Sequence, residues 1–273
     1  MPESQKSTFK KLSELIRVND IYNPFIAEYD YSQSPEEIFE EWMEFDCDPF
    51  NEIALVKDNQ KAIGWIGFDM LDEPSLSEGM EPINGDMLIS SDTPLLEAIR
   101  TICSGNNHIY LVLKGSKFIG FLSYANFNKL PFRMCLFALL IDLERVMLEV
   151  VKSDPTSFLK NLSEKRLDNA KNEYSNRGYK LNKEGKEYDS TLIDCTSFTD
   201  KFKMLKNSRV VIQKCPELKS RIFVEKAGKM RNKIAHSEGE ESGFLPIEKK
   251  DFIPFIDWVE RLQNQLDKYF ETP

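Results

Sequence analysis

Apolar positions follow two regimes along the 273 residues. Up to about residue 130 they come in short runs broken by polar pairs, the signature of strands and tight turns. Beyond Phe127 they recur at helical spacing. The first regime also repeats itself. Asn51–Leu71 lies over Asn107–Phe127 without a gap, at an offset of 56, with seven of 21 positions identical. Shared positions include Ile53/Ile109, Val56/Val112, Lys61/Lys117 and the pair Ile63-Gly64/Ile119-Gly120. Each copy predicts a strand, a tight turn (Asp58-Asn59 or Gly115-Ser116) and a second strand. A helix opening stands upstream of each hairpin: Ser34-Pro35-Glu36-Glu37 in one copy, Asp92-Thr93-Pro94 in the other. Both set a capping residue before a proline at the first helical position. Each copy therefore reads as strand, helix, strand, strand and short helix.

In the second regime Leu136, Leu139, Leu140, Leu143, Met147, Val150 and Val151 form one helical stripe. Pro155 marks a break, and a charged helical stretch follows to about Ser175. Asn176–Gly185 is a polar, basic loop. Thr196–Leu205 and Pro216–His236 are further helices, the short run Val210-Val-Ile212 stays unassigned, and Ser237–Gly243 is an acidic break. Phe252, Phe255, Ile256, Val259, Leu262 and Leu266 make the stripe of a last helix. The fold class expected is an α+β pair of repeats over 18–130, after an N-terminal helix or arm over 1–17. An all-α bundle of four to six helices over 131–273 follows.

Charge sharpens the division. The net charge of −9 combines −12 over residues 1–130, from 10 basic against 22 acidic side chains, with +3 over 131–273, from 26 against 23. Within that half, 152–233 holds 20 basic against 11 acidic residues, or +9, and 234–273 holds 4 against 9, or −5. The acidic half repels polyanions and the basic segment attracts them. The longest apolar stretch, Met134–Ile141, has eight residues, far short of the roughly 20 that span a bilayer. The N-terminus carries no basic-then-apolar signal pattern. Five widely spaced cysteines without a C-x-x-C, and only two histidines, argue against a disulfide framework or structural zinc. No membrane association, no metal and a reducing cytoplasm are the expectations.

The repeat resembles a tandem pair of CBS domains over roughly residues 18–130. The carrying segments are Gly120-Phe-Leu-Ser123-Tyr-Ala-Asn126-Phe127 and Gly64-Trp-Ile-Gly67-Phe-Asp-Met70-Leu71. The resemblance implies a sensor of adenine nucleotides or related ligands bound in the cleft between copies, with the hydroxyl of Ser123 at phosphate. The family's ribose-binding Asp is Asn126 in one copy and Met70 in the other. An amide still hydrogen-bonds a ribose, whereas a thioether is a weak acceptor. At most one competent site is expected, near Ser123 and Asn126.

His108 enters a strand and reads as a turn or core residue. His236 ends a basic helix in Lys229-Met-Arg231-Asn232-Lys-Ile-Ala-His236-Ser-Glu-Gly239. Asn232 and His236 stand four apart on one helix face, and a helix C-terminus favours the imidazolium. Arg, Asn and His converging without a metal cluster suit phosphodiester chemistry. The motif Arg231-Asn232-x-x-x-His236 in a basic helical domain resembles the HEPN family, over roughly residues 132–272. The resemblance implies a metal-independent endoribonuclease. In it His236 is the acid/base group at the ribose 2′-hydroxyl, Arg231 stabilises the phosphorane and Asn232 positions substrate or His. The product is a 2′,3′-cyclic phosphate, and two protomers together form the site, so a homodimer acting on RNA is expected. Several members of that family are toxins or defence effectors. The competing reading is a non-catalytic nucleotide-binding regulator that uses the helical half for dimerisation or partner docking.

Overall fold

The computed structural model describes residues 7–45, 52–179, 190–235 and 247–270. The chain divides into two compact units: Ser13–Phe132, and Arg133 onward together with the chain up to Leu12. After helix α1 (Thr8–Leu15), the first unit holds β1 (Asn23–Pro24), β2 (Glu28–Asp30), α2 (Pro35–Met43), β3 (Ile53–Asp58) and β4 (Lys61–Gly67). It continues through α3 (Leu76–Gly79), β5 (Glu81–Pro82), β6 (Leu88–Ser90), α4 (Leu95–Ser104), β7 (Ile109–Lys114) and β8 (Lys117–Ser123). The expected repeat is present. A 3₁₀ turn, Phe68–Asp72 or Tyr124–Asn128, stands where each copy's short closing helix was expected.

Local chemistry accounts for these elements. Ser34 caps α2 by accepting from Glu37 N while Glu37 reaches back to Ser34 N, a reciprocal capping box. Both hairpins are built alike: β3–β4 and β7–β8 are antiparallel, and their registers slip at Val56/Lys57 and Val112/Leu113. The first turn is formed by Asn59 and Gln60, with φ of 48° and 69°, one residue later than Asp58-Asn59. The two-residue turn that matches strand twist needs positive φ at both central positions, and Asn tolerates that best after glycine. Gly115, with φ of 62°, fills the equivalent place in the second copy.

The sheets are not the separate property of each copy. Their orders are β2-β3-β4-β5 and β1-β8-β7-β6. Thus β1, which precedes the first copy, pairs with the last strand of the second, and β5, which precedes the second copy, pairs with the last strand of the first. The registers match: Pro24 opposes Gly120 and Pro82 opposes Gly64. Proline suits an edge strand because it donates nothing to the ladder. The repeated Ile-Gly pair now has a reason. A Cβ on Gly120 would lie 2.0 Å from Asn23 O, and one on Gly64 would lie 2.3 Å from Met80 Sδ and 2.7 Å from Glu81 O. Between the sheets, Ile53, Trp65, Met87, Leu111 and Phe121 form one apolar cluster with residues from both copies. On the opposite face of β3 and β4, Ala54, Val56 and Ile66 pack with Ile38 and Trp42 of α2.

The second unit is helical: α5 (Leu130–Lys152), α6 (Pro155–Leu159), α7 (Glu164–Asn176), α8 (Ser190–Asp194), α9 (Phe198–Lys206), α10 (Arg209–Lys214), α11 (Arg221–Ala235) and α12 (Lys249–Asp267). Helix α5 begins within the last residues of the first unit. Eight helices are described rather than four to six, because short ones intervene. Val210–Ile212 lies in α10, where Ser208 accepts from Val211 N and caps the turn. Pro216 opens a separate 3₁₀ turn, Pro216–Lys219, before α11 begins at Arg221. The break at Ser237–Gly243 lies outside the described residues, and so does most of the loop Asn176–Gly185. The core joins Phe202 of α9, Phe223 of α11 and Phe255 and Trp258 of α12, with ring centroids 5.6 to 6.1 Å apart. Among the described residues no helix is long and apolar enough to cross a membrane.

The close approach at Gly120 gives a direct test. Gly120→Ala is expected to destabilise the protein by about 1–3 kcal/mol, the usual effect of overpacking against backbone. Gly85→Ala, where an added Cβ meets nothing within 4 Å, is expected to change stability by less than about 0.5 kcal/mol. Urea denaturation followed by far-ultraviolet circular dichroism reads both, and equal effects would contradict the close-approach account.

Candidate functional site

Helix α11 is held by polar side chains from two neighbours, α5 and α12, and one of these is itself braced from α9. Lys201 of α9 is buried, its side chain 4% exposed. Its ammonium donates to Glu144 Oε1 of α5 at 3.0 Å and to Thr196 O at 2.8 Å. A charge that deep persists only when paired and hydrogen-bonded. The other oxygen of Glu144 faces Arg231 of α11, with Nε at 3.9 Å. Arg133 of α5 donates to Lys233 O at 3.4 Å, and Lys226 donates to Asp251 of α12 at 2.5 Å. One carboxylate on α5 therefore serves two cations, one on α9 and one on α11.

Arg231 and Asn232 consequently face different surroundings. Arg231 is half-buried toward Glu144, and its Nε has no hydrogen-bond partner among the described residues. Successive helical residues point about 100° apart. Asn232 is exposed and lines a groove between α9 and α11. His236, the third expected catalytic residue, lies outside the described residues. The helix expected to carry it is described as far as Ala235. Arg231 thus meets a carboxylate on α5, while Asn232 looks onto α9.

The groove encloses about 510 Å³. Phe202 and Val224 give it an apolar floor beside Gly228, and Lys203, Lys206, Arg221 and Lys229 surround it. Glu225 stands among these cations, accepting from Arg221 Nε at 2.8 Å. The hydrogen bond from Arg221 and that residue's charge, with Lys229 and Lys206 near by, hold its carboxyl below the usual range. A glycine inside a helix forfeits about 1 kcal/mol relative to alanine. At Gly228 a Cβ would meet only Thr199 Oγ1, at an ordinary 3.4 Å. Packing does not demand glycine there; its absent side chain leaves the groove open. Lys203, Lys206 and Arg221 were not among the residues singled out from sequence. The available signals were lysines three apart on α9 and Arg221, Glu225, Gly228 and Asn232 along one face of α11.

The expected site in the first unit has a definite local structure. Asn126 is buried, 2% exposed. Its carbonyl oxygen accepts from Ser123 N at 2.8 Å and Ser123 Oγ at 3.1 Å. Its amide donates to Ile21 O at 2.7 Å and Asn23 Oδ1 at 3.2 Å. Three residues on, Lys129 Nζ donates to Tyr22 O at 2.6 Å. Burial lowers the pKa of that ammonium. Asn126 and Lys129 together clasp the segment that leads into β1. In the first copy the thioether of Met70 does part of the same work, accepting from Gly67 N at 3.2 Å, and its side chain packs into the cluster between the sheets. The amide of Asn126 is therefore engaged by backbone and side-chain atoms of the chain itself.

Among the described residues no group of three or more His, Cys, Asp or Glu side chains is placed to hold a metal ion. Among the described residues, Cys103, Cys135, Cys195 and Cys215 form no disulfide.

No protein-family model matches the chain, and no curated protein matches it. Solved structures do show likeness. CBSX2 in complex with AMP is 18% identical and aligns over 40% of this chain and 91% of its own, with a TM-score of 0.32. The CBS domain of a bacterial CNNM/CorC family Mg2+ transporter in complex with ATP is 12% identical over 43% of this chain and 88% of its own, at 0.35. Protein MJ1004 from Methanocaldococcus jannaschii is 13% identical over 80% of this chain and 99% of its own, at 0.38.

Removing the shared carboxylate should expose how α11 is held. Glu144→Gln leaves Lys201 buried with only a neutral acceptor beside it and is expected to destabilise the protein by about 3 kcal/mol. Adding Lys201→Met should restore part of the loss, because the unpaired charge is then gone. Urea unfolding of the single and double variants checks this, and an additive double variant would show that the two side chains do not depend on each other.

Proposed function

We propose that the chain is a metal-independent endoribonuclease. Its helical half is a HEPN-like domain over residues 131–273, and its first part over residues 18–130 is a CBS-like ligand sensor. The observation that carries this reading is the placement of Arg231 and Asn232 side by side on a helix within the basic stretch 152–233, with Glu144 facing the arginine at 3.9 Å. A phosphodiester strand is drawn to such a stretch by charge.

In the reaction His236 takes the proton of the ribose 2′-hydroxyl, and that oxygen attacks the adjacent phosphorus. Arg231 neutralises the charge that accumulates on the phosphorane oxygens. The 5′-oxygen leaves with a proton, and a 2′,3′-cyclic phosphate remains. One base and one acid serve the two proton transfers best, and each chain offers a single suitable histidine. A homodimer that joins two such helices would supply both. An adenine nucleotide near Ser123 would tune the activity, the chain would work in the cytoplasm, and a toxin or defence role fits an RNA-cleaving effector.

A second reading is favoured by one specific observation: the Arg231 guanidinium already faces a carboxylate at 3.9 Å. On that reading the chain is a non-catalytic, nucleotide-responsive binding protein whose helical half docks to a partner or a second copy.

An RNA cleavage assay in excess EDTA separates the two. The native chain is expected to cleave and to leave cyclic phosphate ends. His236→Ala and Arg231→Ala are each expected to lower the rate at least about 100-fold, the usual scale of a lost acid/base or charge-stabilising group. Absence of cleavage by folded native protein, with and without adenine nucleotides, would favour the binding reading.

A further inference from the structure

We infer that the groove between α9 and α11 is a binding site for a free nucleoside polyphosphate, separate from the Ser123 region and from Arg231. Three features of the groove select that ligand. Its volume of about 510 Å³ falls in the range that holds small organic ligands and exceeds what a bare phosphate fills. Lys203, Lys206, Arg221 and Lys229 stand against one carboxylate, Glu225. Four cations facing one anion call for a ligand with several negative charges, which a diphosphate or triphosphate supplies. The floor is apolar, made by Val224 with the buried Phe202 behind it, and Gly228 withholds a side chain where packing would accept one. A planar base fits against such a floor, and inorganic polyphosphate does not. The Thr199 hydroxyl and the exposed Asn232 amide stand at the same groove and offer hydrogen-bonding groups to a base or ribose.

The location differs from the one that the repeat suggests. In the first unit the Asn126 amide is used up by Ile21 O and Asn23 Oδ1, whereas the groove presents its cations around an open floor. Because α11 carries both the groove face and Arg231, a ligand there would touch the same helix as the proposed chemistry from its other side. The binding claim stands whether or not the chain cleaves RNA.

The test uses the full chain and isothermal titration with ATP, adenosine, inorganic tripolyphosphate and a short single-stranded RNA, all in EDTA. One ATP is expected to bind per chain, with adenosine and tripolyphosphate each at least about tenfold weaker, since each lacks one half of the recognised chemistry. Lys203→Ala with Lys206→Ala is expected to weaken ATP at least about tenfold, consistent with the loss of charge-assisted bonds. Gly228→Ala is expected to weaken ATP while the thermal midpoint holds or rises, which separates a filled groove from a damaged fold. Three results would overturn the inference: tripolyphosphate binding as tightly as ATP, ATP binding untouched by all these variants, or RNA displacing ATP at lower concentration than ATP itself requires. Cleavage activity with no nucleotide binding at the groove would sink this inference alone. Binding without cleavage would sink only the nuclease reading.

Discussion

Each sheet of the first unit is completed by a strand from outside its own repeat, and each such strand reaches its place only because the neighbour has no side chain at the contact. The constraint acts through backbone atoms, with Asn23 O and Glu81 O standing where a Cβ on Gly120 or Gly64 would project. Flexible side chains yield to crowding; a backbone carbonyl held in a ladder does not. The rest of the unit follows. The exchanged strands bring the two sheets face to face, the apolar cluster of Ile53, Trp65, Leu111 and Phe121 fills the space between them, and Asn126 and Lys129 fasten the entry to β1.

That fastening changes how a polar residue in a familiar-looking motif should be understood. Asn126 stands where a ribose ligand would be sought, yet every polar atom of its amide is engaged within the chain. The helical unit shows the converse arrangement. Glu144 gathers the buried Lys201 and the half-buried Arg231 into a junction of three helices, so α11 has one face fixed by electrostatics and another free to meet solvent. A helix held on one side and open on the other is well suited to present groups to a ligand, because the groups are positioned before binding.

Much of the architecture was legible along the chain, and the failures have physical causes. The hairpins announced themselves through matched apolar runs, and α2 through Ser34, Pro35 and Glu37. The strand exchange was invisible because β1 and β5 are two residues long, each ending in proline, too short for any alternation to register. Val210–Ile212 had β-branched residues but became helical once Ser208 capped it, a case where local hydrogen bonding outweighs propensity. Arg231 and Asn232 were found from a local motif. The helix alone sets them about 100° apart, but that Arg231 meets a carboxylate depended on Glu144, a partner 87 positions away, which no local pattern encodes. The groove escaped because its cations come from two helices and become neighbours only in the folded unit.

The exchange of strands is symmetric in geometry and unequal in sequence. Pro82 meets Gly64 only 18 positions away, whereas Pro24 waits for Gly120, 96 positions further along. Loop closure makes the longer connection harder by about 1.5 kcal/mol. A ribosome delivering this chain would release β5 soon after its partner, so the first sheet is complete early. The second sheet stays open at its edge until β8 emerges. During that interval β1 is an unpaired strand and the site of greatest exposure to a stray partner, including the same segment of a neighbouring nascent chain. Two repeats alike in form therefore differ in the order in which they become safe from misassembly.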